Sequence, residues 1–217
     1  MGKNILLIAA TAIEIRPFLK FIEKEKKGDT GIDILVTGIG LTACTYFLQK
    51  QLSLKKYDLV LQAGVAGCFD SSVNLGSVLV VERDTIADQS VVELRKLKTL
   101  FNLGKLPANQ FPFKNDWLIN PYKVIMKKTG IKKVKGISVN QISTDKKMIT
   151  FYKNTFNPTT ESMEGAALHY VCLMENLPFL QLRSISNYIG ERNKKKWDMQ
   201  DSIVNLNDVL VNFVNNY

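Results

Sequence analysis

Residues 4–10 read NILLIAA, an apolar run with no polar residue after its first position. A strand of that kind needs cover on both faces, the condition met inside a parallel sheet. Comparable runs recur at residues 32–36 (IDILV), 58–63 (DLVLQA), 76–81 (GSVLVV), 134–142 (VKGISVNQI) and 177–185 (LPFLQLRSI). Between them lie helical patterns. Residues 41–52 carry Leu41, Cys44, Phe47, Leu48 and Leu52 on one side, and residues 145–152 continue helically after the fifth run. Beyond Ser202, the residues Ile203, Leu206, Leu210 and Phe213 form one amphipathic face. Thr11 and Glu14 spell a capping box, which starts a helix. Strands alternating with helices predict an α/β fold with a mostly parallel central sheet flanked by helices, in a single domain over residues 1–217. Gly64-Val65-Ala66-Gly67 is expected to break the third strand, and the stretch 94–122, with Gly104, Pro107, Pro112 and Pro121, to be a long loop excursion.

Composition excludes several classes. No apolar run approaches the ~20 residues needed to span a bilayer, so membrane insertion is not expected. Cys44, Cys68 and Cys172 are widely spaced and form no CxxC. A disulfide framework or zinc site is therefore not expected, and the setting inferred is reducing and cytoplasmic. The net charge of +9 is spread over separate lysine groups with few aromatics between them. That argues against nucleic acid and for a solvated surface, compatible with an anionic small substrate.

Residues 159–187, TTESMEGAALHYVCLMENLPFLQLRSISN, hold the densest chemistry. Glu164 opens a helix of small residues, where the dipole favours a negative charge, and a buried carboxylate there needs partners. Asn187 ends an apolar strand, where ligands of open α/β sheets sit. Glu14 has two readings, capping-box partner or general base facing a pocket, and one residue is expected to serve both only in different conformations. Gly38-x-Gly40-x-x-Ala43 matches the dinucleotide fingerprint in form. However, Asp58, the acidic residue at the right spacing, precedes its strand and belongs to the wrong sheet edge. The turn therefore reads as close backbone approach. His169, the sole histidine, lies about 140° around the helix from Glu164 and reads as structural.

With these residues in view, ESMEGAAL followed by PFLQLRSISN resembles the nucleoside phosphorylase and nucleosidase superfamily, which includes methylthioadenosine/S-adenosylhomocysteine nucleosidase. The similarity continues through LIAATAIEI, VTGIGLTA, QAGVAG and GSVLVVE, and RSISNYIGERNKKKW is most similar to the futalosine hydrolase branch. The resemblance implies a purine nucleoside phosphorylase-like fold and cleavage of an N-glycosidic bond by water, with no cofactor and no metal. It places Glu14 as the carboxylate that activates water. Met163 and Glu164 fall on the ribose, Ser186 and Asn187 at the purine near N7, and Ile142 about where a purine-stacking residue is expected. Val65 and Ala66, in the third-strand turn, complete the substrate-binding set. Where the phosphorylases bind phosphate, this chain has Gln62 and Val65, which favours water as nucleophile.

At 187, the adenine-specific nucleosidases carry aspartate. An asparagine amide suits the acceptors N7 and O6 of a 6-oxopurine, so the implied reaction is futalosine hydrolysis. It releases hypoxanthine and dehypoxanthine futalosine, in menaquinone biosynthesis. The alternative is release of adenine from methylthioadenosine, S-adenosylhomocysteine or aminodeoxyfutalosine. Arg183, Arg192 and Lys194 to Lys196 are candidates for the carboxylate of the futalosine arm. A homodimer is expected from the resemblance, with Trp117 or Phe111 reaching a partner's site.

Overall fold

The computed structural model describes residues 4–25, 31–93 and 96–217. Lys26 and Lys27 of the first lysine group, and Leu94 at the head of the proline-rich stretch, lie outside them. The first half of the chain runs β1 (Ile5–Ala9), α1 (Arg16–Glu25), β2 (Ile32–Val36), α2 (Leu41–Leu54), β3 (Leu59–Cys68), β4 (Val78–Asp84), β5 (Ser90–Glu93), β6 (Lys96–Thr99), β7 (Phe113–Lys114) and β8 (Trp117–Ile119). There follow α3 (Lys123–Lys128), β9 (Lys133–Ser138), α4 (Lys146–Phe156), β10 (Thr160–Ser162), α5 (Gly165–Met174), β11 (Phe179–Tyr188) and α6 (Met199–Asn216).

Strand β1 shows why the apolar runs predict this architecture. Ile5, Leu7 and Ala9 enter a cluster with Phe18 and Ile22 of α1 and Leu206, Leu210 and Phe213 of α6. Leu6 and Ile8 enter the opposite cluster, with Leu41, Cys44 and Leu48 of α2 and Ala166 to Leu168 of α5. The period-2 alternation of a strand thus fills both faces of the sheet. β1 pairs in parallel with β2 and β3, and β3 with β11. β9 runs parallel to β4 and β10. Antiparallel joins complete the far half: β10 with β3, β11 with β4, and β8 with β4 and β7. Because β11 pairs with both β3 and β4, strands β3, β10, β9, β4 and β11 close into a ring.

Two expectations change. β3 is not broken at Gly64-Val65-Ala66-Gly67; it pairs with β11 up to Cys68. The glycines belong to the strand because a Cβ at Gly64 would run into the Arg183 guanidinium, and one at Gly67 into Ile189. The excursion at 94–122 contains structure, since β8 pairs with β4 at Arg83 and Asp84. Leu118 of β8 is fully buried. No helix among the described residues is long and apolar enough to cross a membrane.

Candidate active site

Glu14 sits in the turn between β1 and α1, and its carboxylate is shared. Oε2 accepts from the Thr11 backbone N–H at 2.9 Å and from the Thr11 hydroxyl at 3.0 Å. Oε1 accepts from the Val65 N–H at 3.1 Å. The either-or reading of this residue is therefore corrected: one conformation reaches back to Thr11 and faces β3, because the two oxygens divide the work. The helix itself starts later, at Arg16. Asn207 of α6 fixes the turn, accepting from the Phe18 N–H at 2.9 Å and donating to the Glu14 carbonyl at 2.8 Å.

Glu164 is the residue before α5 and is buried. Its Oε1 accepts from the Gly40 N–H at 3.1 Å. Gly38 and Gly40 hold φ of 80° and 98°, a region that glycine enters without a Cβ penalty. The Gly38-x-Gly40 turn therefore serves close backbone approach. Asp58, at the opposite sheet edge, accepts instead from the Asn4 N–H at 2.8 Å.

Glu164 Oε2 faces Arg183 Nη1 at 3.5 Å, and Nη2 of the same arginine donates to Gln62 Oε1 at 3.1 Å. Arg183 is 1% exposed, so it is withdrawn from the candidates for a substrate carboxylate. An arginine in an apolar strand has to find its counter-charge inside the protein. That was the signal in LQLRSIS for a positioning role. Arg183→Met should destabilise the fold by about 3–5 kcal/mol, because it strands a buried carboxylate. Urea denaturation of the variant measures this, and a loss below about 1 kcal/mol would contradict the pairing.

The base end is built where β11 bulges between Ile185 and Asn187. Such a bulge re-aims the side chains beside it, and the strand runs through Ser186 and Asn187 to Tyr188 rather than stopping before them. The Ser186 hydroxyl lies 2.9 Å from Asn187 Oδ1. Asn187 Nδ2 gives one hydrogen to the Tyr188 carbonyl at 3.1 Å and keeps the other.

Glu14, Val65, Ala66, Ile142, Met163, Glu164, Ser186 and Asn187 all line one cavity of about 430 Å³. Ile13, Ile39, Met199 and Ile203 give it an apolar wall, with Arg192 and Trp197 beside them. The Arg192 guanidinium lies 5.8 Å from the Trp197 ring centre. The lysines at 194–196 do not line the cavity, and Lys196 pairs with Glu191 at 2.9 Å. Sequence patterns do not reveal the apolar wall, since its residues come from three separate segments, and Ile203 reads there only as part of the amphipathic face of the last helix. Trp117 packs edge-on against Phe156 within the chain, while Phe111 is solvent-exposed. His169 stands apart from the cavity. Its Nδ1 lies 2.9 Å from the Leu118 carbonyl oxygen, and burial pushes its pKa down to about 4.

The family profile described as Phosphorylase superfamily matches residues 13–215. The chain is 28% identical over 182 residues to the 5'-methylthioadenosine/S-adenosylhomocysteine nucleosidase of Glaesserella parasuis serovar 5, covering 82% of this chain and 76% of that protein. It is 26% identical over 200 residues to the futalosine hydrolase of Thermus thermophilus, covering 90% and 86%. Among solved structures, the 5'-methylthioadenosine/S-adenosylhomocysteine nucleosidase of Helicobacter pylori superposes with a TM-score of 0.80 at 20% identity, over the whole of both chains. With a strand ring that places its carboxylates and its amide in one cavity, and a profile that runs almost end to end, the chain belongs to the phosphorylase superfamily.

Proposed function

We propose that this nucleosidase hydrolyses the N-glycosidic bond of futalosine, releasing hypoxanthine, in the futalosine route to menaquinone. The observation that carries this reading is the orientation of the Asn187 amide. Its carbonyl is turned to Ser186, and its free N–H is the group left for the cavity. A 6-oxopurine presents acceptors at N7 and O6 to such a donor; adenine presents a donor at its 6-position.

The reaction is a dissociative cleavage. The C1′–N9 bond breaks with its electron pair moving to the purine, where the Asn187 N–H stabilises the developing charge. Glu164 polarises the ribose hydroxyls, and Met163 covers one face of the sugar. A water adds to C1′ of the ribosyl cation and Glu14 takes its proton; an equivalent proton reaches the purine anion through solvent, so that it leaves as neutral hypoxanthine and the Glu14 carboxylate is restored. Arg183 pairs with Glu164 and keeps that carboxylate in place, while Thr11 and Val65 hold Glu14. Arg192 is the one remaining candidate that reaches the cavity and can meet the carboxylate of the futalosine arm.

The apolar wall of Ile13, Ile39, Met199 and Ile203 favours a second reading, a nucleoside with an uncharged thioether tail such as methylthioadenosine. Purified protein incubated with futalosine in phosphate-free buffer tests the proposal. Hypoxanthine should appear together with an unphosphorylated ribosyl product. Turnover that requires phosphate, or none at all, overturns it.

A further inference from the structure

The first N–H groups of a helix have no partner within it, and the side chain of the N-cap residue usually supplies one. In α5 that residue is Glu164, and its side chain makes no such bond. The helix nevertheless starts there, since the Glu164 carbonyl accepts from the Ala167 and Leu168 N–H groups at 3.0 and 3.3 Å. The carboxylate is turned the other way, to the Gly40 N–H and to Arg183.

The missing caps come from other strands. β4, β9 and β10 run parallel and end at Asp84, Ser138 and Ser162. The Ala166 N–H donates to Ser138 Oγ at 2.8 Å, and the Gly165 N–H donates to Ser162 Oγ at 3.3 Å. The Ser138 hydroxyl gives its own hydrogen to Asp84 Oδ1 at 2.9 Å, while Gln181 Nε2 donates to Asp84 Oδ2 at 3.3 Å. Asp84, Ser138 and Gln181 are all buried. A Cβ at Gly165 would run into Asp84 and Gln181, so the start of α5 rests directly on this group. Burial pushes the Asp84 pKa up to about 6, against the pull of Ser138, Arg183 and Gln181. Above that pH the carboxylate only accepts, which commits the Ser138 hydrogen to Asp84 and a Ser138 lone pair to Ala166. A buried carboxylate is costly unless it is put to use.

We propose that Asp84 and Ser138 are positioning residues that cap α5 in place of Glu164, which frees the Glu164 carboxylate for the ribose hydroxyls. This rests on the ribose role of Glu164, which the futalosine reading and the thioether reading share. Without the pair, Glu164 is the N-cap side chain left to accept from the Ala166 N–H. A carboxylate that caps its own helix is withdrawn from the sugar. Neither Asp84 nor Ser138 lines the cavity, so both act through the residue that does.

The test is a double-mutant cycle. Ser138→Ala should lower kcat/KM by about tenfold, the worth of one hydrogen bond. In a Glu164→Ala background, where no carboxylate is left to misplace, the same change should cost less than about twofold. Inhibition by the free purine base, which has no ribose, should be unaffected. An equal loss in both backgrounds, or inhibition weakened as much as turnover, assigns Ser138 an ordinary structural role and overturns the proposal. The assays use whichever of futalosine and methylthioadenosine the wild type cleaves faster. A preference for methylthioadenosine therefore sinks the futalosine reading and leaves this one standing. Should Ser138→Ala fail to fold, two variants of Asp84 decide. Asp84→Asn keeps an oxygen for Ser138 and removes a buried charge, so kcat/KM should stay within about threefold of the wild type. Asp84→Ala removes the acceptor and should lose about tenfold. Equal values for the two would overturn the proposal as well.

Discussion

Glu14→Gln should lower kcat for nucleoside hydrolysis by about 10²- to 10⁴-fold, the usual contribution of a positioned general base. KM should change little, because Glu14 meets the attacking water and not the departing base. The expectation follows from the way the side chain is held. Three donors converge on its two oxygens, from the Thr11 N–H, the Thr11 hydroxyl and the Val65 N–H. Those bonds fix the carboxylate's orientation and leave a lone pair for a proton from water. Glutamine keeps the shape and can keep the bond to Val65, but it turns an amide toward the Thr11 N–H and cannot take up the proton. Single-turnover kinetics separates this from a loss of binding. A variant retaining more than about a tenth of wild-type kcat would remove Glu14 from the base role.

Asn187→Asp should swing the preference between 6-oxo- and 6-aminopurine nucleosides by on the order of 10⁴, the range seen when a site built to hydrogen-bond a group meets its mismatch. The surroundings of residue 187 explain the direction. One atom of its side-chain head faces the Ser186 hydroxyl and the other faces the Tyr188 carbonyl oxygen at 3.1 Å. An aspartate keeps the first contact as an acceptor, but beside Tyr188 it needs a proton or must turn away. The fixed N–H donor for N7 and O6 is then lost, and a carboxyl able to accept from a 6-amino group replaces it. Activity on futalosine falls while activity on the 6-amino counterpart rises. An unchanged preference would show that the amide does not read the base.

How much of this was legible in the sequence follows from where the information lies. β1 and α2 were readable because burial on both faces, or on one helical face, leaves a periodic trace over five residues or more. β10 was not readable, since three residues carry no period. The continuation of β3 through two glycines was hidden because those glycines answer to Arg183 and Ile189, residues more than a hundred positions away. The site divided in the same way. Glu14, Glu164 and Asn187 sit at element ends, where sequence signals are strong, and the structure brings them to one cavity. Arg183 works through register: it is buried mid-strand against Glu164. Pairing of distant strands decides this, and no local pattern records it.

The central claim is that the Asn187 amide selects a 6-oxopurine in a cavity built for hydrolysis. The most direct measurement is the ratio of kcat/KM for futalosine to that for aminodeoxyfutalosine, on the wild-type protein in phosphate-free buffer. The two substrates differ only at the base. The account predicts a ratio well above one, on the order of 10² or more. A ratio at or below one, with adenine released as fast as hypoxanthine or faster, would contradict it.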